Sequence, residues 1–487
     1  MKNKLFENKL FNEIHSFGKR YAAITSGYSL TYAELDQICK NISPLLGKRS
    51  LIFHVCTHSL GSLAGYVAFM NNDHVQLLLN EEIDRDGLEQ LIKRYHPQYI
   101  FLPREWDSHF LETERIAPVF EYLLLKFIVK SDANPPRQEK ITPLHRDLAL
   151  LLTTSGSTGS AKYVRLSYRN LHHNAEAIAQ CLEIKADDRP ITILPMNYTY
   201  GLSIINSHLL VGATLLLTSK KIIQREFWDF FIEKGATTIS GTPYTYQMLY
   251  KLGLLTMQLP SLKSMTQSGG KLPETLQKIM AEFAHNTGRR LHIMYGQTEA
   301  TARIACLPHQ VATIKSGSIG VSIPGGRMAL CDEEGKEITT AETVGEIVCF
   351  GPSISMGYAS DRFDLAKGDE REGVLYTGDM GKRDADGFYY IVGRKSRIIK
   401  MFGNRFSMDE IEAIIKDEYP TVECACCGSD DQMEIFVNAH TKELREDIKA
   451  TLVNRTKINA RGIMVYYIEE LPVDGAGKIM YKQLEKH

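Results

Sequence analysis

The chain has 487 residues, room for roughly three domain-sized units at about 150 residues each. With 44% hydrophobic and 24% charged residues it has the composition of a folded globular protein, which excludes a disulfide-stapled peptide, a fibre or a disordered chain. Lys+Arg 57 against Asp+Glu 58 leaves a net charge of -1, so no chain-wide field draws it to nucleic acid or an anionic membrane, and any anionic ligand must be held locally.

The 9 cysteines are scattered, and the opening MKNKLFENKLF has no apolar core of signal-peptide length, so a reducing, cytoplasmic compartment is expected. The first helix is signalled by a capping box, Thr31 with Glu34 in LTYAEL (30–35), followed by Leu35, Ile38, Ile42 and Leu45 at helical spacing. The densest apolar run, FEYLLLKFIVK, is interrupted by Lys126, falls short of the ~18 residues of a membrane span and reads as an internal helix or strand. ITILP (191–195), ATLLLT (213–218), ATTIS (236–240) and LHIMYG (291–296) are strand-length and alternate with helical stretches such as 170–182, the texture of an α/β layered core.

From about Ser316 short strands with turn signals take over, in DEEG (332–335), EIVCFG (346–351) and DADGFYYIVG (384–393). After Gly393 come a basic stretch, RKSRIIKMFGNR, and a second capping box, Ser407 with Glu410, opening a helix with Ile411, Ile414 and Ile415 on one face. Strand (433–439), helix (443–453) and strand (464–471) complete a small α+β unit. Its CACC run (Cys424, Cys426, Cys427) has no second CxxC or HxxxH at finger spacing and reads as strand. The expected fold is α/β: a large domain, residues 1–394, of two α/β subdomains and a β subdomain, then a small α+β lid, residues 395–487.

The sharpest local feature is TTSGSTGSAK (153–162). Backbone N–H groups, hydroxyls and the Lys162 ammonium can wrap phosphate oxygens there, although such composition also reads as a flexible turn. It is not a Walker loop, since Tyr163 follows Lys162, and Gly475-Ala-Gly477-Lys478 fails the same test with Ile479.

In the same order along the chain stand LTYAEL, TTSGSTGSAK, PMNYTYGLS (195–203), SGGKL (268–272), YGQTEAT (295–301), GSIGVSIPG (317–325), YTGD (376–379), GRKSRIIKMFGNRFSMDEIE (393–412) and PVDGAGKI (472–479). Through these strings the chain resembles the adenylate-forming superfamily of acyl-CoA and aryl-CoA synthetases, peptide-synthetase adenylation domains and luciferases. The resemblance implies two half-reactions. A carboxylate attacks the α-phosphate of ATP to give acyl-adenylate and pyrophosphate, and a thiol then takes the acyl group.

By position in these motifs, the resemblance implies ATP and AMP contacts at Thr154, Ser155, Gly156, Ser157, Thr158, Gly159, Lys162, Ser268, Gly269, Gly270, Tyr295, Gly296 and Gln297, with Tyr295 stacking on adenine. Thr298 falls at the α-phosphate contact and Glu299 at the Mg2+ carboxylate. Asp379 and Arg394 fall at the ribose contacts, and Lys478 at the lysine bridging carboxylate and α-phosphate. Gly403 lies in the thiol-step loop, and Ser396 stands at the hinge where the family usually carries Asp or Lys. In the phosphate loop Ala161 and Tyr163 replace the usual Pro and Gly. The acyl pocket is implied at Tyr198, Thr199, Tyr200, Gly201, Gly241, Thr242 and Pro243.

Amino-acid-activating relatives carry an Asp where Thr199 stands. A neutral, aromatic-lined pocket cannot offset the burial of an ammonium, so a neutral acyl, hydroxyacyl or aryl acid is expected. No carrier site follows Lys478, so the acceptor is expected to be coenzyme A or a separate acyl carrier protein. Lys395, Arg397, Lys400 and Arg405 could screen coenzyme A phosphates. A catalytically inactive nucleotide-binding scaffold is the alternative from another class; the presence of Lys162, Thr298, Glu299, Asp379, Arg394 and Lys478 argues against it.

Overall fold

The computed structural model describes residues 10–109, 113–128, 142–153, 162–401, 404–473 and 479–484. Thr154, Ser155, Gly156, Ser157, Thr158, Gly159, Gly403 and Lys478 therefore lie outside the described residues, as do the side chains of Lys400 and Arg405. The chain divides into two compact units, residues 1–328 with 349–375, and residues 329–348 with 376–487.

The first unit opens with the helix Tyr32–Ile42, whose capping box forms as the sequence predicts: Thr31 accepts from the Glu34 N–H, and the Glu34 carboxylate accepts from the Thr31 N–H. The apolar stripe stops earlier than its spacing suggests. The α-helix ends at Ile42, Pro44 enters a 3-10 turn, and Leu45 is exposed rather than buried. The run 120–130 contains the strand Tyr122–Phe127. It joins a sheet whose centre, the strands Leu148–Thr153, Val75–Asn80, Leu51–Cys56 and Tyr99–Pro103, is parallel. Leu51–Cys56 is buried along its whole length, as expected of a parallel strand covered on both faces. The helix Leu60–Asn71 packs closely on this sheet because Gly65 has no side chain; a Cβ there would stand 2.2 Å from the Phe101 ring.

A second sheet carries the strands Thr238–Gly241, Ser264–Gln267 and Arg290–Tyr295 in parallel, followed by antiparallel Ala305–Leu307 and Ser318–Ser322. Two of the expected strands shrink. ITILP makes only isolated bridges at Pro190 and Ile191, and ATLLLT pairs only over Leu215–Leu216. Pro190 and Pro195 bracket the former and donate no N–H to a ladder.

In the second unit DEEG turns the chain between Arg327–Cys331 and Glu337–Ile338, and the turn at Asp384 joins Val374–Arg383 to Tyr389–Arg394. The helix Met408–Glu418 buries Ile411 and Ile415 and half-buries Ile414. Ser407 caps it by accepting from the Glu410 N–H; among the described hydrogen bonds only this half of the box forms. The strand Cys424–Ser429 pairs with Gln432–Val437, which pairs with Ile463–Tyr467. Cys424 and Cys426 face one apolar cluster and Cys427 another, so all three are core residues of this sheet. Among the described residues no helix is long and apolar enough to cross a membrane.

Candidate active site

The parallel strands Thr238–Gly241, Ser264–Gln267 and Arg290–Tyr295 end in register, Gly241 beside Gln267 and Gln267 beside Ile293. Their carboxyl ends therefore deliver Gly241-Thr242-Pro243, Ser268-Gly269-Gly270 and Tyr295-Gly296-Gln297 to one edge, where open α/β sheets bind ligands. Thr242 caps the helix Pro243–Lys251. Gly269 adopts φ +83°, and a Cβ there would stand 2.7 Å from the Tyr198 hydroxyl, so glycine lets that phenol lie over the strand end.

Tyr198 precedes the helix Thr199–Leu210, held against the strand ends by its first turn. The Tyr200 hydroxyl donates to the Thr266 carbonyl at 2.8 Å, and the Thr199 hydroxyl donates to the Thr301 carbonyl. At Gly201 a Cβ would come within 2.2 Å of the Pro195 carbonyl oxygen.

After Tyr295 the chain folds sharply back on itself. A Cβ on Gly296 would stand 1.7 Å from the Ala302 carbonyl oxygen. Thr301 holds φ +67°, a strained conformation for a β-branched residue, secured by its hydroxyl donating to the Ser353 carbonyl at 2.6 Å. This bend buries Thr298, half-buries Tyr295, and leaves the Gln297 side-chain nitrogen buried with no hydrogen-bond partner. Glu299 is fixed twice: its carbonyl accepts from the Ser355 N–H at 2.9 Å, and its carboxylate oxygen Oε1 accepts from the Tyr358 hydroxyl at 2.7 Å.

Burial, reinforced by the Glu299 charge, pushes the Tyr358 phenol up to about 12, so it remains a donor at neutral pH. The Arg371 guanidinium lies 5.0 Å from the Tyr358 ring centre. Sequence reasoning passed over Tyr358 and Arg371; Gly357-Tyr358 follows no chemical motif, and only the fold brings the pair to Glu299. Among the described residues no group of three or more His, Cys, Asp or Glu could hold a metal. A single oriented carboxylate suits Mg2+, which commonly takes one or two protein carboxylates and completes its shell with phosphate oxygens and water.

Tyr163, beside Lys162, is buried and meets the Tyr95 ring edge-on at 5.6 Å. Lys162 itself is exposed. The tyrosine thus anchors the strand Tyr163–Ser167 in the core immediately after the lysine.

In the second unit Asp379 and Arg394 stand opposite each other on paired strands. Asp379 is buried, and Arg394 Nε lies 2.8 Å from its Oδ1 while the Arg394 side chain remains half exposed. Ser396 is exposed in the turn Lys395–Arg397. Arg397 departs from the phosphate-screening role expected of the basic stretch. Arg397 is bound inside the unit by Asp409, by Glu412 at 2.6 Å and by the Cys426 carbonyl, with the Tyr481 ring 3.7 Å away. Lys395 pairs with Glu346 at 2.7 Å. Arg397 is therefore structural and has no charge left for a coenzyme A phosphate.

Sequence reasoning also missed Arg303. Its guanidinium is buried with its carbon 3.8 Å from the Tyr200 ring centre, beside residues expected to form a neutral pocket.

Comparison with known proteins gives the following likenesses. The family described as AMP-binding enzyme matches residues 10–359. The long-chain-fatty-acid–CoA ligase of Salmonella typhimurium is 29% identical over 430 residues, covering 82% of this chain and 74% of that protein. The 2-succinylbenzoate–CoA ligase of Bacillus cytotoxicus is 26% identical over 485 residues, covering 96% and 95%. Among solved structures, o-succinylbenzoate CoA synthetase from Bacillus subtilis in complex with its acyl-adenylate intermediate superposes with a TM-score of 0.78 at 20% identity, over 98% of both chains.

Proposed function

The chain belongs to the AMP-binding enzyme family, and from that premise we propose that it is an AMP-forming acid–thiol ligase of the acyl-CoA or aryl-CoA synthetase kind. It activates a carboxylic acid with ATP through an acyl-adenylate, releases pyrophosphate, and passes the acyl group to the thiol of coenzyme A. The observation that carries this reading is the strand-end bend at 295–303, which buries Thr298 and fixes the Glu299 carboxylate with the Tyr358 hydroxyl. The CoA ligases among its relatives support coenzyme A over a carrier protein as acceptor.

In this reading the glycines at 269, 270 and 296 admit the nucleotide close to the backbone, and Tyr295 presents its ring to adenine. The Thr298 hydroxyl donates to the α-phosphate, and Asp379 accepts the ribose hydroxyls with its carboxylate steadied by Arg394. Lys162 and the loop 154–159 hold the outer phosphates. Glu299 would hold Mg2+, which would offset phosphate charge as the anionic carboxylate of the acid approaches. Lys478 bridges that carboxylate and the α-phosphate, offsetting their repulsion in the transition state. Residues 1–394 supply the nucleotide and acyl contacts, and residues 395–487 supply Lys478 for the first step and Gly403 for the second, with Ser396 at the hinge.

The test separates the half-reactions. Lys478→Ala should slow acyl-adenylate formation by about 100-fold or more, while coenzyme A still takes the acyl group from chemically prepared adenylate at near wild-type rate. Unchanged adenylate formation in this variant would overturn the assignment of Lys478. Transfer to a phosphopantetheinylated carrier but not to coenzyme A would overturn the choice of acceptor.

A further inference from the structure

The helix Tyr168–Cys181 follows directly on the strand Tyr163–Ser167, which begins just after Lys162. Asn170, His173 and Asn174 stand three and four positions apart, the spacing that puts side chains on one face of a helix. All three reach the segment 352–354. The Asn170 amide donates at 2.7 Å to the carbonyls of both Pro352 and Ile354. The Asn174 amide donates to the Ser353 hydroxyl at 3.3 Å and to the Arg303 carbonyl at 3.0 Å, and His173 Nδ1 lies 3.0 Å from the same hydroxyl. Both asparagines are buried.

The other side of this segment holds the Glu299 bend. The Ser353 carbonyl accepts from the Thr301 hydroxyl at 2.6 Å, the Ser355 N–H donates to the Glu299 carbonyl at 2.9 Å, and the Tyr358 hydroxyl donates to the Glu299 carboxylate at 2.7 Å. The strand after Lys162 grips the segment further along: Tyr358 pairs with Val164 and Ala359 with Tyr163, while the Arg165 N–H donates to the Gly357 carbonyl and the Arg165 carbonyl accepts from the Met356 N–H, each at 2.9 Å. Residues 352–359 therefore join the Glu299 bend to the strand and helix that leave Lys162, in one hydrogen-bonded frame.

The Asn170 side chain has two tasks in this frame. Its Oδ1 accepts from the Ser167 N–H at 2.8 Å while its own N–H donates to the Ser167 hydroxyl at 3.0 Å, a reciprocal cap on the helix. Capping needs only the oxygen. The Nδ2 protons are both committed to carbonyls of the segment 352–354, so the amide is required there for holding that segment rather than for the helix. We propose, resting on the adenylation reading above, that Asn170 is a positioning residue for the first half-reaction. Supported by the contact of Asn174 with Ser353, it sets the Glu299 carboxylate and Thr298 at a fixed place relative to Lys162, acting through residues 352–358 and touching no substrate itself.

The test variant is Asn170→Asp, which keeps the capping oxygen, places an acid near the helix N-terminus where the dipole favours one, and removes both donors. The expected result is acid-dependent pyrophosphate exchange with kcat lower by about tenfold or more and a Mg2+ concentration for half-maximal rate higher by about threefold or more, the scale of two buried hydrogen bonds. Calorimetric titration reads the same displacement without turnover: Mg2+-ATP should bind the variant more weakly by about threefold or more. Because Asn170 and Tyr358 act on one carboxylate, the loss in Asn170→Asp combined with Tyr358→Phe should be smaller than the product of the single losses. Ser353→Ala removes one hydroxyl and no bulk, and it decides the matter if an aspartate at 170 does not fold; it should raise the Mg2+ requirement in the same direction by about twofold or more. Thermal melting checks the fold of each variant. A folded Asn170→Asp, or in its place Ser353→Ala, with a lower melting temperature but wild-type kcat, Mg2+ dependence and Mg2+-ATP affinity overturns this inference while leaving adenylation intact, as does a double variant whose loss equals the product. Absence of acid-dependent exchange in the unaltered chain overturns the adenylation reading and this inference with it.

Discussion

The hydroxyl of Tyr358 donates to Glu299 Oε1 across 2.7 Å, joining residues 59 positions apart in the chain. One carboxylate oxygen is thereby held, and in the adenylation reading the carboxylate fixed in this way is the one that would hold Mg2+. The bond is charge-assisted, and such bonds are the strong ones. Tyr358→Phe keeps the ring on Arg371 and removes only the donor. The expected outcome is a fall in adenylation of about tenfold or more, from the ~1.5–3 kcal/mol of a hydrogen bond to a charged group, with a higher Mg2+ concentration needed for half-maximal rate. An unchanged Mg2+ dependence would show that the hydroxyl does not position Glu299.

Asp379 and Arg394 make a second such pair, on neighbouring strands at 2.8 Å. Because Asp379 is buried and Arg394 half exposed, the carboxylate is the oriented partner and the arginine its support. Asp379→Asn should raise the KM for ATP by about tenfold, the scale of a charged hydrogen bond, with a smaller effect on kcat. Arg394→Gln should do the same to a lesser degree. Steady-state kinetics with ATP and 2′-deoxy-ATP checks this: the loss in Asp379→Asn should be smaller with the deoxy nucleotide.

Gly296 tests the bend itself. A Cβ would stand 1.7 Å from a backbone oxygen, a contact that no side-chain rotation relieves. Gly296→Ala should cost several kcal/mol of stability or displace the 297–303 segment. Denaturant unfolding together with ATP binding distinguishes the two outcomes, and a variant that keeps both stability and ATP affinity would refute the close approach.

Acid should unfold the first unit through its buried histidines. Burial, only partly opposed by the Gln76 hydrogen bond, lowers His54 to about 4, and burial likewise lowers His208 to about 4. The unfolded chain, with histidines near 6.5, then binds more protons than the folded one between these values. Stability from these groups is complete above about pH 6.5 and is lost as pH falls toward 4. His54→Gln, which can still reach Gln76 and Ser62, should be less stable at pH 7 and lose less stability between pH 7 and pH 5, by close to one proton in the slope. Urea unfolding across that range reads it directly; a slope equal to that of the wild-type protein would contradict the assignment.

What was legible in the sequence is what local chemistry dictates. The Thr31–Glu34 box, the strands ATTIS and LHIMYG, and the placement of Glu299 just past a strand all follow from short spacings, whereas the strand Ser264–Gln267 between them went unread. What was not legible depends on partners far away in the chain. Arg397 reads in the sequence as one of four cations free to screen coenzyme A phosphates, and only the fold encloses it between Glu412 and Tyr481. Arg303 stands in an ordinary run of small residues, and only the fold shows that its charge is buried over Tyr200. ITILP has strand composition, but the prolines at 190 and 195 deny it a ladder. Thr199 marks the absence of an acidic partner for an ammonium and carries no sign of Arg303, whose guanidinium lies on the neighbouring Tyr200 ring.

The central claim is that this chain joins a carboxylic acid to a thiol by way of an acyl-adenylate. The most direct measurement is pyrophosphate–ATP exchange by the purified full chain with a panel of carboxylic acids and Mg2+, first without and then with coenzyme A. The account predicts exchange that depends on the acid and needs no thiol, and formation of AMP and an acyl-CoA thioester once coenzyme A is added. Absence of exchange with every acid, or release of ADP and phosphate in place of AMP and pyrophosphate, would contradict it.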